Sequence, residues 1–359
     1  MRVDEICQER SAARIRELYV AVRTRMGRTN TPSANGTTNS PSLRYLKPDE
    51  YPLWDALVEE SPQGTVFCRS WFLKAAAADI RILACFIGGR LVAGIPLHFE
   101  RRFGLPFCKM PPLVHTWGIV IAPFTGKQVT VFSREMNVLT LLAKELASQR
   151  FFIQSFHPTQ LNWLPFYWNG FRQVTYYTNV IEDLTDIDRI WDEMEGNTRR
   201  NIRKAETAGI TVVPCDSELA TTLSEKTFSH QRKSLPFSRA YVDRLYRAAR
   251  QHGAGRCFAA VDRSGRPHAA SFVVWDRKRA YYVAGGADPD VRSSGAQSLL
   301  LWHFLKFVSS ETAAFDFAGS VVEHIERFFS GFGAKLVPYN RIMKLPRPMW
   351  ASLALMGMQ

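Results

Sequence analysis

The residues with the most chemistry to offer lie between Ala280 and Tyr339. Arg292-Ser293-Ser294-Gly295-Ala296 leads into apolar residues at Leu299, Leu300, Trp302 and Phe307, a helical spacing over Ala296 to Val308. A helix start leaves backbone N–H groups without intrahelical partners and makes an anion site. Ser294, Gly295 and Ala296 are therefore candidates to hold a phosphate, with the Arg292 guanidinium beside them. The competing reading is that Gly295 only ends a turn and Arg292 is solvated. Upstream, Tyr281-Tyr282-Val283 is a strand pattern ending at Gly285-Gly286, and backbone N–H groups from Tyr282 to Gly286 are positioned to meet a carbonyl oxygen.

Downstream, Asp316 stands between Phe315 and Phe317, so strand alternation turns its carboxylate away from both rings. It serves either as a general base, or amine-binding group, or as a structural cap. Glu323 and His324 open the next helical segment, Glu323 to Phe329. His324 is a candidate acid–base group, although a lone histidine on a helix is most often a surface residue. Outside this stretch, Arg199, Arg200, Arg203 and Lys204 fall on one helix face. That face either meets phosphates or is simply solvated.

These groups need a scaffold, and the 359 residues supply enough chain for two domains or one large one. With 46% hydrophobic and 22% charged residues the composition is that of a globular protein, and the 12% aromatics suit a ligand groove as well as a core. A net charge of +13 suits polyanionic partners: phosphates, nucleic acid or an inner membrane face. Basic proteome usage explains it equally well. No apolar run approaches the roughly 20 residues that span a bilayer, and the start has no apolar secretory core, so the expected localisation is cytoplasmic. The six cysteines are scattered without metal-ligand spacing, which predicts reduced thiols and no metal.

Residues 1–42 read as an N-terminal extension ending in the flexible, turn-rich Thr29 to Ser42. Helices are expected at Glu50 to Glu60, Ser70 to Ala78, Phe132 to Arg150, Ile187 to Ala208, Ser217 to Ser229 and Ser238 to Gln251. Strands are expected around Gly118 to Ala122 and at Phe151 to Phe156, Val174 to Asp183 and Ile210 to Pro214. Two hairpins, Arg81 to Ile87 with Leu91 to Phe99 and Arg256 to Asp262 with Pro267 to Asp276, can be overlaid. Each turns at Gly-Arg (Gly89-Arg90, Gly265-Arg266) and then carries a small pair, Ala93-Gly94 and Ala269-Ala270. The overlay predicts two α/β domains of one plan, 43–185 and 186–345, with an apolar tail at 346–359 that packs on the body or touches a membrane surface.

Helices, hairpin, strand, turn, helix, strand is an order that resembles the GNAT acyltransferase fold. Arg292-Ser293-Ser294-Gly295 matches the first four positions of that family's R/Q-x-x-G-x-G/A, and Gln297 departs from it. The tandem plan, PPLVHTWGIVIAP, the basic helix NTRRNIRKA and FDFAGS…FFSGFGA together look like the FemAB-like family over Leu43 to Leu345. The resemblance implies two tandem GNAT-like domains, each a mixed, mostly antiparallel sheet flanked by helices, with the active site in the second.

It implies an amide-forming acyltransferase of the cell envelope, acting on an amine of a nucleotide- or lipid-linked sugar or peptide. Acyl-CoA is the expected co-substrate, and Tyr282, Arg292, Ser294, Gly295 and Ala296 its expected contacts. Aminoacyl-tRNA is the alternative donor, as in peptidoglycan-bridge relatives, and a non-catalytic precursor-binding module is a third reading. The same resemblance marks Gln231, Arg232, Arg239 and Tyr241 for the acceptor, since Arg pairs recognise diphosphates, and Asp316, Glu323 and His324 for catalysis. Peripheral contact with the inner membrane face is a further expectation. Bridge-forming members commonly carry Phe-Lys where this chain has Phe328-Phe329, which points to a divergent acyltransferase.

Overall fold

The computed structural model describes residues 40–102, 105–319 and 322–346. The first half of the chain supplies strands β1 (Ser42–Tyr45), β2 (Ile80–Ile87), β3 (Arg90–Arg102), β4 (Leu105–Lys109), β5 (Val120–Ile121), β6 (Phe152–Ser155) and β7 (Arg172–Ile181). Its helices are α1 (Tyr51–Glu60), α2 (Ser70–Ala76), α3 (Gln128–Leu146) and α4 (Leu164–Trp168). The second half adds α5 (Ile187–Glu193), α6 (Gly196–Thr207), β8 (Thr211–Pro214), α7 (Ser217–His230), α8 (Arg239–Gln251), β9 (Gly255–Val261) and β10 (Pro267–Trp275). It closes with β11 (Arg279–Ala287), α9 (Ala296–Val308), β12 (Ala314–Asp316), α10 (Glu323–Ser330) and β13 (Lys335–Lys344). Residues 1–39 of the expected N-terminal extension, and the tail from residue 347, lie outside the described residues.

The fold is mixed α/β, with one largely antiparallel sheet flanked by helices. Its strands run β1-β2-β3-β4-β6-β13-β7-β12-β11-β10-β9-β8, with β5 paired to β3. The two parallel pairings among the described residues, β4 with β6 and β11 with β12, occupy equivalent places in the two halves. A helix, α3 or α9, crosses over in each case, as parallel neighbours require. The two hairpins match as well. Ala84 pairs with Gly94 in one and Ala259 with Ala270 in the other. Gly94 has a reason of its own to be small: a Cβ there would stand 2.7 Å from the Trp54 indole.

The halves exchange their last strands. Strand β7, the last of the first half, pairs with β12, while β13, from the end of the second half, pairs with β6. The two exchanged strands pair with each other from Lys335↔Val180 to Met343↔Arg172. Sequence analysis assigned no strand at 335–344. The expected single helix over Ile187 to Ala208 is two helices, because Met194 turns its side chain into the core and the Glu195 N–H is drawn to the Gly331 carbonyl at 2.9 Å.

Three apolar clusters follow from strand alternation. One face of the second half gathers Ala269, Val273, Leu300, Phe304, Phe315 and Phe317, and the matching face of the first half gathers Leu83, Ile95, Leu139, Leu142 and Phe152. The third cluster is shared, joining Trp54, Phe67 and Phe72 to Leu223, Leu245, Phe272 and Tyr281. Lys278, in the β10–β11 turn, reinforces that union by donating to the carbonyls of Val58 (2.9 Å), Glu59 (3.3 Å) and Ser61 (2.8 Å) at the end of α1. A helix C-terminus exposes unpaired carbonyls and negative partial charge. Lys278→Met should therefore lower the free energy of unfolding by about 1–3 kcal/mol, read from urea denaturation.

Candidate active site

The parallel pairing of β11 with β12 stops at Tyr281↔Asp316. Beyond it β11 continues to Ala287, while the chain after Asp316 leaves β11 and stays on β7, where the Phe317 N–H donates to the Asn179 carbonyl at 2.9 Å. A notch opens in the sheet between β11 and the segment 317–319, which stays beside β7. On its outer side β11 still pairs with β10, but the register shifts between Phe272 and Val273 and passes over Val283, a β-bulge. Backbone groups from Tyr282 to Gly286 that do not serve β10 therefore face the notch.

Two glycines let helices close over this region. A Cβ on Gly286 would fall 2.3 Å from the Leu223 carbonyl oxygen of α7, and one on Gly295 would fall 2.1 Å from that of Asn201 on α6. Gly295 also has φ +81°, a conformation that favours glycine, and from it α9 starts. The preceding turn, Pro289–Ser294, is fixed at both ends. Asp288 Oδ1 accepts from the Asp290 N–H at 3.1 Å, and its Oδ2 meets Lys226 (3.1 Å) and Arg266 (3.2 Å). Burial opposes the charge on Asp288, yet these donors hold its carboxyl down at about 2. At the other end Lys204 Nζ donates to the Ser293 carbonyl at 2.7 Å. The start of α9 thus has Lys204 and the exposed Arg292 beside it.

At the root of the notch lies a buried polar node. Asp316, 0% exposed, accepts from Thr178 Oγ1 (2.5 Å), the Ala318 N–H (2.8 Å) and Arg279 Nη1 (3.4 Å). His115 Nε2 stands 3.9 Å from its Oδ1. Burial depresses the His115 pKa, and nearby Arg279 and Arg341 act in the same direction against Asp316. His115 belongs to the loop after β4, which is tied on three sides. The Tyr241 hydroxyl donates to the Pro112 carbonyl (2.6 Å), the Trp117 N–H to the Ser155 carbonyl (2.9 Å) and the Trp117 indole to the Phe67 carbonyl (3.1 Å).

Residues 192–324 match the family model described as the GNAT acetyltransferase domain. That segment is similar to a GNAT acetyltransferase domain. Among solved structures it resembles FemX, with a TM-score of 0.64 at 13% identity, covering 87% of this chain and 99% of FemX. A tandem GNAT protein from the clavulanic acid biosynthesis pathway aligns with TM-score 0.50 at 14% identity over 85% of this chain and 98% of the other. The C-terminal domain of a proposed lysylphosphatidylglycerol synthetase from Agrobacterium fabrum aligns with TM-score 0.51 at 15% identity, covering 86% and 94%. At such identities the likeness is one of fold. A search of curated proteins by sequence finds no match.

Within this matched segment the structure brings some of the expected site residues together and leaves others apart. Tyr282, Ser294, Gly295 and Ala296 all sit along the β11–α9 connection. Burial raises the Tyr282 phenol pKa, offset in part by the Ser271 and Gln297 side chains beside it, so Gln297, the departure from the family motif, touches the bulged strand. Asp316 faces away from Phe315 and Phe317, which lie in the core of the opposite face. Glu323 and His324 are exposed on α10, with Glu323 paired to Arg327 at 2.6 Å, and neither bonds to Asp316. Gln231 and Arg232 are exposed after α7, Arg239 is held by Glu225, and Tyr241 anchors the His115 loop.

Of the basic run on α6, Lys204 fixes the α9 turn, Arg199 donates to the Trp191 and Asp192 carbonyls, and Arg203 lies over the Trp191 ring. Sequence reasoning missed His115, Thr178 and Arg279: Thr178 reaches Asp316 through the strand exchange, Arg279 through the β11–β12 pairing and His115 on the loop after β4. A cavity of about 550 Å³ lies elsewhere, between α1, α2 and the β10–β11 turn, and contains none of these residues. His157 is buried near the same node, its Nδ1 accepting from the Thr159 N–H at 3.3 Å, and burial with Arg279 and Lys278 nearby lowers its pKa to about 3. Below its ordinary value near 6.5 the unfolded chain takes up a proton that the folded chain refuses. Stability should then fall with decreasing pH by about 1.4 kcal/mol per unit for this residue. Urea unfolding at pH 7, 6 and 5 should show that fall, and His157→Gln should flatten it.

Proposed function

We propose that the chain is an N-acyltransferase that moves an acyl group from acyl-CoA to an amine of a cell-envelope sugar or peptide precursor. The observation that carries this reading is the notch, which leads from the free backbone of β11 to the start of α9. A thioester arm lying in the notch meets backbone N–H groups that would stabilise oxyanion charge at its carbonyl. Its diphosphate reaches the α9 N-terminus, Arg292 and Lys204. On this reading the second half, from about residue 186, holds the donor, and the first half, 43–185, completes the site. An acceptor linked to a nucleotide or lipid diphosphate matches the net charge of +13. A cytoplasmic location with contact at the inner membrane face would bring the enzyme to such a precursor.

Aminoacyl-tRNA is the second donor to consider, favoured by the likeness to FemX and by Arg200, an exposed cation on α6. Calorimetry with acetyl-CoA and longer acyl-CoAs, beside aminoacyl-tRNA, separates the two. Saturating acyl-CoA should stabilise the fold by about 2–3 kcal/mol at 100 times its Kd, and Arg292→Ala should weaken binding roughly tenfold while leaving unfolding of the free protein unchanged. Thiol release on adding a UDP-linked amino sugar or a muropeptide would then identify the acceptor. Binding of aminoacyl-tRNA without acyl-CoA would overturn the donor assignment, and binding of precursor with neither donor would point to a non-catalytic module.

A further inference from the structure

Asp316 is poorly placed to take a proton from substrate. Its side chain is buried, and Thr178, the Ala318 N–H and Arg279 already occupy both of its oxygens. Beside it His115 is differently placed. Its Nε2 is buried, has no hydrogen-bond partner and faces Asp316 Oδ1 at 3.9 Å, yet the side chain keeps 7% exposure. Tyr339 packs edge-on to the imidazole at 5.1 Å, and Tyr281, whose strand flanks the notch, lies at 6.3 Å.

From this geometry we propose that His115, supplied by the first half of the chain, is the proton acceptor of the reaction performed in the second half, with Asp316 as its positioning residue. The inference rests on the acyl-transfer reading above. A carboxylate facing Nε2 favours the tautomer with hydrogen on that nitrogen, which leaves the Nδ1 lone pair for a substrate proton. The amine attacks the thioester carbonyl carbon, forming a C–N bond. The C–S bond then breaks and the sulfur leaves as a thiolate. The proton shed by the amine goes to Nδ1, the imidazolium is stabilised by Asp316, and the same proton passes to the thiolate, giving amide and thiol with nothing left over.

The charged and titratable groups facing this imidazole are Asp316 from β12, Arg279 and Tyr281 from β11, Arg341 and Tyr339 from β13, and His157 from the loop after β6. Burial keeps His115 neutral at pH 7, in the form able to accept a proton.

The test uses the full-length protein and His115→Gln and Asp316→Asn variants, with acetyl-CoA as the binding probe. His115→Gln should bind acetyl-CoA within threefold of the parent and lose roughly 100-fold or more in kcat, a size usual for a general base. The acid limb of the parent's pH–rate profile should disappear with it. Independently of activity, ¹⁵N NMR of the imidazoles should show His115 with hydrogen on Nε2 at pH 7 and a pKa below 6.5 that falls further in Asp316→Asn. A His115→Gln enzyme within threefold of parent kcat overturns the proposal, as does an Nδ1–H tautomer or a titration that Asp316→Asn leaves unmoved. Failure of the donor reading looks different: acetyl-CoA does not bind, while the tautomer and its response to Asp316→Asn persist.

Discussion

The pairing of β7 with β13 is the constraint on which the rest of the structure depends. Each strand is the last of its half, and each completes the other half's sheet before meeting its counterpart along the ladder from Lys335↔Val180 to Met343↔Arg172. Backbone hydrogen bonds between the exchanged strands hold two similar units as one, so neither sheet keeps a free inner edge to recruit another chain. The shared core of Trp54, Phe72, Leu245 and Phe272 then follows, because the exchange brings the helices of both halves over one continuous face.

The exchange also creates the site. Strand β12 ends after three residues, and its outer neighbour is β7, a strand of the first half. Thr178 of β7 is thereby set against Asp316, and the loop after β4 delivers His115 to the same carboxylate. A buried carboxylate needs donors to remain in an interior of low dielectric, and here Arg279, Thr178 and a backbone N–H supply them. Thr178 comes from one half of the chain and the other two from the second. The node is thus a product of assembly.

The β11–α9 connection, the proposed donor side, was legible in the sequence because it is local. Gly285, Gly286 and Gly295 punctuate a strand, turn and helix within one short stretch; a neighbouring backbone comes too close for a side chain at Gly286 and Gly295, and the Ser271 and Tyr282 side chains do so at Gly285. Asp316 was legible for a similar reason, since alternation with Phe315 and Phe317 fixes its side of the strand. Locality also misled. Glu323 and His324 are near Asp316 in sequence, but α10 turns them to solvent, and the clustered charges of α6 turn out to brace the Pro289–Ser294 turn and Trp191.

Hairpin registers, helix periodicity and the glycine-bearing turn after β11 were determined by the sequence alone, because each depends on residues a few positions apart. The overlay of Ala93-Gly94 with Ala269-Ala270 even made the duplication visible. Only the tertiary structure decided that the halves trade strands, that Tyr241 holds a loop of the other half, and that His115 faces Asp316. Such pairings are chosen by burial and by backbone edges that must find partners. Those forces act between segments distant in the chain, and no local pattern of residue types records their outcome.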